Sequence, residues 1–246
     1  MRAWIIRFFA FIRSVIFTFL YFPLLTLICS MPGVIWYKIT GSRKVIDWTS
    51  NFWCVAITKY LGVQIEETGR ENIPRGGCLF LFNHTSFMDI FVMVARKRGI
   101  RFGAKVELFS IPIFNWAIRA GGILPIARHN RQDAILVLRE AEERARNGEK
   151  FALAPEGGRN TEEKLLPFKS GPFIFAINSG VPIVPVIIKG AQEAWPKHTL
   201  FPCAQKWHYN VSIEYLKPIE SKGFTVEDRS VLSNQVREVM QAKLTC

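Results

Sequence analysis

The sequence predicts an α/β protein with a mostly parallel central sheet flanked by helices, preceded by an N-terminal helical membrane-attachment motif. Three observations predict it. From residue 63 onward, short apolar runs alternate with helical patterns. Polar clusters at 83–89, 105–107 and 156–160 fall where predicted strands end and helices begin. Ahead of them, no charged side chain occurs from Ser14 to Tyr37, a stretch of 24 residues.

That stretch is long enough to cross the roughly 30 Å hydrocarbon core as a helix. Two features oppose a plain spanning helix. Pro23 falls in its middle and Pro32-Gly33 near its end, and proline removes a backbone donor and clashes with the preceding turn. Arg2, Arg7 and Arg13 precede the stretch, and Lys38, Arg43 and Lys44 follow it. The positive-inside rule then puts both flanks on the cytoplasmic side. A re-entrant or interfacial helical hairpin, broken near one of the prolines, satisfies both features. A cleaved signal peptide and a buried core helix are the rival readings. The run is long for the former, and no clear small-x-small site follows it. Residues 45–62 form a further amphipathic helix, with Trp48, Phe52, Trp53, Ile57 and Tyr60 mostly on one broad face and a stop at Gly62. The membrane-associated helices thus occupy residues 1–62, and the α/β domain residues 63–246.

Within the domain, Val63–Glu67 alternates like a strand. Cys78–Phe82 is a continuous apolar run after Pro74-Arg75-Gly76-Gly77, the pattern of a buried strand after a turn. Asp89–Arg98 reads as a helix, Arg101–Val106 as a strand, Ile111–Ala120 as a helix and Ile123–Ala127 as a strand. Arg131–Asn147 is the clearest helix, with Ala134, Leu138, Ala141 and Ala145 at helical spacing before Gly148. Phe151–Ala154 is a strand, Gly171–Ser179 a helix, Ile183–Ile188 a buried strand, Asn210–Leu216 an alternating strand and Val226–Lys243 a closing helix. Alternation of this kind makes a largely parallel sheet with helices on both faces.

Composition narrows the partners. Hydrophobic residues are 49% and aromatics 13% of the 246 residues, enough for a core and suited to contact with lipid. The net charge of +12 calls for an acidic partner: nucleic acid, an anionic membrane surface or a phosphorylated substrate. The basic residues are spread along the chain with no finger, ribonucleoprotein-type or basic-zipper pattern, which disfavours nucleic acid. Cys29, Cys54, Cys78, Cys203 and Cys246 are odd in number and never paired as CxxC, so neither a disulfide framework nor a zinc site is indicated. His129, His198 and His208 lack metal-ligand spacing.

The chemistry concentrates in Asn83-His84-Thr85-Ser86-Phe87-Met88-Asp89. His84 and Asp89 are five apart, which is not a same-face helical spacing. The pair meets only if the chain turns from strand to helix between them. A carboxylate on one imidazole nitrogen then fixes the tautomer and leaves the other nitrogen as a base, able to activate a substrate hydroxyl directly. The same residues also fit a plain helix start, since Ser86-x-x-Asp89 is a capping-box pattern. In Glu156-Gly157-Gly158-Arg159-Asn160 the glycines let backbone N–H groups approach a ligand, and Arg159 offers bidentate contact to phosphate. An ordinary strand-end turn with a solvated arginine fits equally. Lys105 and Arg128 sit at or just past strand ends; each alone reads as a surface charge.

Taken in order, these segments resemble the glycerolipid acyltransferase family, and within it the bacterial 1-acyl-sn-glycerol-3-phosphate acyltransferases. Residues 83–89 match the family's Asn-His-x-Ser-x-x-Asp block. Lys105-Val106-Glu107-Leu108 through Pro112 to Gly121-Gly122 and Arg128 resembles the second block, Pro155–Asn160 with Pro167–Gly171 the third, and Val181–Val186 the fourth. The resemblance covers roughly residues 63–216. It implies that His84 is the general base, that Asp89 orients and charges it, and that Lys105 and Arg159 hold the acceptor's phosphate. It further implies that Glu156 organises the acceptor side and that a backbone N–H near Gly157-Gly158 helps stabilise the oxyanion. The expected donor is acyl carrier protein or acyl-coenzyme A, the acceptor a lysophospholipid, the product phosphatidic acid and the location the cytoplasmic face of the inner membrane. No cofactor or metal is expected, because the thioester carries the activation. Gly158 and Asn160 stand where the family more often has Thr and Ser, and Ala127 where it commonly has an acid. These departures touch the acceptor site. Another acceptor, such as glycerol-3-phosphate, another lysophospholipid or a lyso-aminolipid, is the alternative; a non-catalytic lipid-binding membrane protein is a third reading.

Overall fold

A computed structural model describes residues 2–126, 131–162 and 164–245. The N-terminal helix α1 (Arg2–Ile16) passes through a π-helical turn (Phe17–Tyr21) into α2 (Phe22–Thr40), and α3 (Lys44–Tyr60) returns along α2. There follow β1 (Val63–Thr68), β2 (Cys78–Phe82), α4 (Met88–Arg96), β3 (Ile100–Lys105), a 3-10 turn (Val106–Ser110), α5 (Phe114–Ala120) and β4 (Leu124–Ile126). The rest comprises α6 (Arg131–Arg146), β5 (Lys150–Leu153), α7 (Gly171–Ser179), β6 (Ile183–Lys189), α8 (Ala191–Ala194), β7 (Tyr209–Tyr215) and α9 (Arg229–Leu244).

The strands form one sheet in the order β1-β7-β6-β2-β5-β3-β4. Every pairing is parallel except β6 with β7, so the mostly parallel expectation holds and β1 and β7 form a reversed edge. β2 lies at the centre, which explains its unbroken apolar sequence. Cys78, Phe80 and Phe82 pack on one face with α3 and α4, through Ile57, Leu61, Met88 and Val92. Leu79 and Leu81 pack on the other with α6, α7 and α9, through Ala141, Phe173, Leu232 and Val236. A strand covered on both faces needs apolar side chains at every position. Cys29, Cys54, Cys78 and Cys203 are free and buried.

The N-terminal helices differ from expectation in where they turn. Neither proline breaks the helix, which is continuous from Trp4 to Thr40. The π-helical turn lies just ahead of Pro23, where Phe22 donates to the Phe17 carbonyl, so the change of register absorbs the missing donor. Pro32 is exposed within α2, and Gly33 beside it lets α3 pack close, since a Cβ there would meet Ile46 Cδ1 at 2.6 Å. The hairpin turn falls at Gly41–Arg43 instead. The five apolar residues expected on one broad face of α3 divide instead: Trp53, Ile57 and Tyr60 face the core, while Trp48 and Phe52 stack on each other on the exposed side.

Only 22% of the most apolar window of the N-terminal helix is buried, whereas the core helix of a soluble protein is mostly buried. One stripe is nonetheless built into the fold: Ala10, Arg13, Ser14 and Phe17 recur at helical spacing and are buried. The Arg13 guanidinium donates to the carbonyls of Cys203, Lys206 and Trp207 and lies 4.4 Å from the Trp207 ring centroid. Ser14 donates to the Pro202 carbonyl. Tyr21 stacks on Tyr60 at 4.2 Å, and Trp53 Nε1 donates to Thr26 Oγ1 at 3.0 Å.

A charged network fixes the far end of the hairpin. Glu149, just before β5, accepts from Arg144 at 2.7 Å, Arg101 at 3.3 Å and Arg43 at 3.4 Å. Arg101 also pairs with Asp47 of α3, with Nη2 to Oδ2 at 3.0 Å. Burial pushes the Glu149 carboxyl up, but hydrogen bonding and charge from Arg144, with Arg101 and Arg43 beyond it, hold it below its ordinary value. A carboxyl depressed in this way contributes stability that is present above its unfolded pKa of about 4.3 and is lost as pH falls through the lower folded value. Glu149→Gln should therefore cost about 1–3 kcal/mol at neutral pH. It should also flatten the loss of stability below about pH 4.5. Denaturant unfolding of both proteins in detergent over that range checks this; parallel acid limbs would contradict it.

Candidate active site

The site is assembled at the C-terminal edge of the parallel strands, where β2 and β5 hand over to the loops at 83–87 and 154–170. Asn83 ends β2 and locks that edge: its Nδ2 donates to the Ile188 carbonyl at 2.9 Å, and its Oδ1 accepts from the Ile188 N–H at 2.8 Å. The chain then turns, and α4 begins at Met88.

This turn brings His84 and Asp89 together. His84 Nδ1 lies 2.8 Å from Asp89 Oδ2, which also accepts from the N–H groups of Thr85 at 2.8 Å and Ser86 at 2.9 Å. Asp89 is fully buried, whereas the His84 side chain keeps 12% exposure. Ser86 Oγ accepts from the Met88 N–H and donates to the Trp195 carbonyl at 2.7 Å. The capping pattern and the His–Asp pair are thus one structure: the cap holds the carboxylate that orients the ring. With Nδ1 engaged, Nε2 is the nitrogen available to exchange a proton with a ligand.

The second segment docks directly on the first. The Asn160 N–H donates to the His84 carbonyl at 2.7 Å. Gly157 has φ +78°, a left-handed conformation that only glycine adopts without strain. Its N–H is taken by the Ala154 carbonyl, and no hydrogen bond from the Gly158 N–H occurs among the described residues. The Arg159 guanidinium lies 4.3 Å from the Phe87 ring centroid, a stacking contact that carries it over the heptapeptide. Glu156 is buried, and its Oε2 accepts from Asn160 Nδ2 at 2.7 Å and the Leu166 N–H at 2.9 Å. Its carboxylate is therefore spent on closing the loop it belongs to. Lys105 ends β3 on the same edge, exposed and without a hydrogen bond or ion pair to His84, Asp89 or Arg159 among the described residues. Two strand spacings separate it from β2, roughly 10 Å. Arg128 lies outside the described residues.

Sequence reasoning missed Trp195, Phe87 and the part played by Asn160. Trp195 stacks on Phe91 at 5.9 Å and lies edge-on to Phe87 and to Phe17 of the π-helical turn. Phe87 stood inside the heptapeptide but has no chemistry of its own to flag it; nothing local marks Trp195. Asn160 drew notice only as a departure, yet it joins the two segments.

Comparison with known proteins follows the same segments. A family model described as Acyltransferase matches residues 64–189. The chloroplastic 1-acyl-sn-glycerol-3-phosphate acyltransferase BAT2 of Brassica napus is 30% identical over 156 residues, 63% of this chain and 45% of that protein. The 1-acyl-sn-glycerol-3-phosphate acyltransferase of Saccharomyces cerevisiae is 28% identical over 243 residues, 92% of this chain and 78% of that protein. The chain spans a little under half the length of two chloroplastic relatives and one algal relative that it matches. The crystal structure of PlsC, the 1-acyl-sn-glycerophosphate acyltransferase of Thermotoga maritima, aligns with a TM-score of 0.71 at 26% identity, over 99% of this chain and 95% of that one.

The Asn83 clamp predicts a large structural cost. Asn83→Ala leaves the Ile188 N–H and carbonyl buried without their partners, each worth about 1–3 kcal/mol. The variant should unfold at about 2–4 kcal/mol lower stability in detergent; a loss below about 0.5 kcal/mol would contradict the clamp.

Proposed function

The chain belongs to the acyltransferase family, and from that premise we propose that it transfers an acyl chain from a thioester to the sn-2 hydroxyl of 1-acyl-sn-glycerol-3-phosphate, giving phosphatidic acid. The observation that carries the reading is the buried Asp89 carboxylate on His84 Nδ1 at 2.8 Å, which leaves Nε2 as a base. His84 Nε2 takes the proton of the acceptor hydroxyl. The hydroxyl oxygen attacks the thioester carbonyl, the C–O bond forms and the C–S bond breaks. The proton held on His84 passes to the departing thiolate. Asp89 stabilises the imidazolium between these steps. The Gly158 N–H is the candidate donor to the oxyanion.

Arg159, held over Phe87, binds the acceptor phosphate bidentately. Lys105 closes the phosphate site from the β3 side, Gly157 supplies the turn, and Glu156 keeps the loop in shape. The donor is acyl carrier protein or acyl-coenzyme A, either of which brings negative charge to a protein of net charge +12. Residues 1–62 attach the chain to the cytoplasmic face of the inner membrane, and residues 63–246 carry out the transfer.

Purified protein with lysophosphatidate and each donor, followed by mass spectrometry, tests the reaction; absence of phosphatidate with both donors would overturn it. His84→Ala should lower kcat by at least about 100-fold, and Asp89→Asn by about 100- to 10,000-fold with little change in KM. Activity retained in His84→Ala would remove the base from the mechanism. Arg159→Ala should raise the KM for lysophosphatidate by roughly 10-fold or more, the value of a lost charge-assisted contact. It should leave an acceptor without phosphate unaffected; equal losses on both would argue against phosphate recognition.

A further inference from the structure

The segment after Lys105 supplies none of the residues given a role above, yet it exposes large apolar side chains. Val106, Ile111, Ile113 and Trp116 are all exposed along the 3-10 turn, the following loop and the start of α5. Ile113 has φ +67° and ψ −54°, the geometry of a γ-turn closed by the Phe114 N–H on the Pro112 carbonyl at 2.7 Å, which is rare and strained. A strained apolar residue on a loop tip indicates a shape kept for contact rather than for local stability.

What covers this surface is indicated by its neighbours. The inner side of α5 is fixed on the helical hairpin, where Ala117 and Ala120 pack with Val34 of α2 and Ile46 of α3. The outer side continues the exposed face of α2, where Ile35, Trp36 and Ile39 lie open. Lys38 joins the two, its ammonium 5.7 Å from the Trp116 ring centroid. The combined patch is aliphatic, contains tryptophans and is rimmed by exposed Lys38, Lys105 and Arg119. Tryptophan and basic residues around aliphatic side chains are the composition of a membrane interface carrying anionic headgroups. The patch is also continuous with a helix long and apolar enough to cross a membrane.

We infer that residues 106–116 are a second membrane-docking element, seated in the headgroup–acyl boundary of an anionic bilayer beside the N-terminal helices. This rests on the reading of those helices as the membrane attachment. It sets Lys105, at the base of the element, at the depth of lipid phosphates.

The test uses site-specific fluorophores in the full-length protein. The four described cysteines are buried, so Cys246→Ser supplies a background in which one added cysteine can be labelled. Val106→Cys and Ile111→Cys report the element, Ile6→Cys reports α1, and Val231→Cys reports exposed α9 on the other face of the sheet. Each is labelled with a nitrobenzoxadiazole dye and reconstituted into phosphatidylethanolamine–phosphatidylglycerol vesicles with or without doxyl-labelled lipid. Positions 106 and 111 should lose roughly half their emission to the quencher, as position 6 does, while position 231 loses little. Quenching at 6 without quenching at 106 and 111 would overturn the second element and leave the attachment intact. No quenching at 6, 106 or 111 would overturn both. Quenching at all four positions alike would show contact without selectivity and also sink the inference.

Discussion

The fold's functional edge depends on one buried carboxylate. Asp89 has no exposed surface, and taking a charge out of water costs several kcal/mol unless its lone pairs are occupied. Here Oδ2 accepts from the imidazole and from two backbone N–H groups, in the first turn of α4, where the helix dipole favours negative charge. The other oxygen, Oδ1, is buried without a hydrogen-bond partner among the described residues. The interactions that start the helix therefore also fix the carboxylate that orients the imidazole.

That carboxylate is held in turn by packing reaching the N-terminal helix. Ser86, which caps α4, donates to the Trp195 carbonyl, and the Trp195 ring lies among Phe87, Phe91 and Phe17. Phe17 belongs to the π-helical turn, so the register change that accommodates Pro23 also delivers an aromatic ring to the site's support. Aromatic pairs of this geometry add about 0.5–1.5 kcal/mol each beyond their burial. Helix and site share one core, and disturbance of the helix is expected to reach the Ser86 turn.

Much of this was legible in the sequence, for identifiable reasons. Cys78–Phe82 and Gly171–Ser179 were readable with the observed bounds, because central burial makes the strand wholly apolar and because glycines bracket the helix. The His84–Asp89 turn followed from a spacing that excludes a shared helical face. The hairpin turn was not legible, since a proline's effect depends on whether the helix can change register beside it. The two faces of α3 were not legible either: core and lipid both select apolar side chains, so Trp48 and Phe52 carry no mark that distinguishes them from Trp53 and Ile57. Helix α8 is four residues long, too short for any periodicity, and Trp195 at its end has its role fixed by residues far away in sequence.

Two clamps fix the long apolar N-terminal helix on the domain. Arg13 and Phe17 hold it near the catalytic edge, while Arg43 and Asp47 at the hairpin turn are tied to Glu149 and Arg101 at the opposite edge of the sheet. From Phe17 to Thr40, 23 residue steps of helix span roughly 35 Å. A helix held at one end would pivot, and its apolar face would define no fixed plane for the domain. Held at both ends, it keeps its apolar face at a fixed angle to the C-terminal edge of the sheet. Loss of the distant charged network would then alter the angle between that face and the C-terminal edge of the sheet, without touching His84 or Asp89.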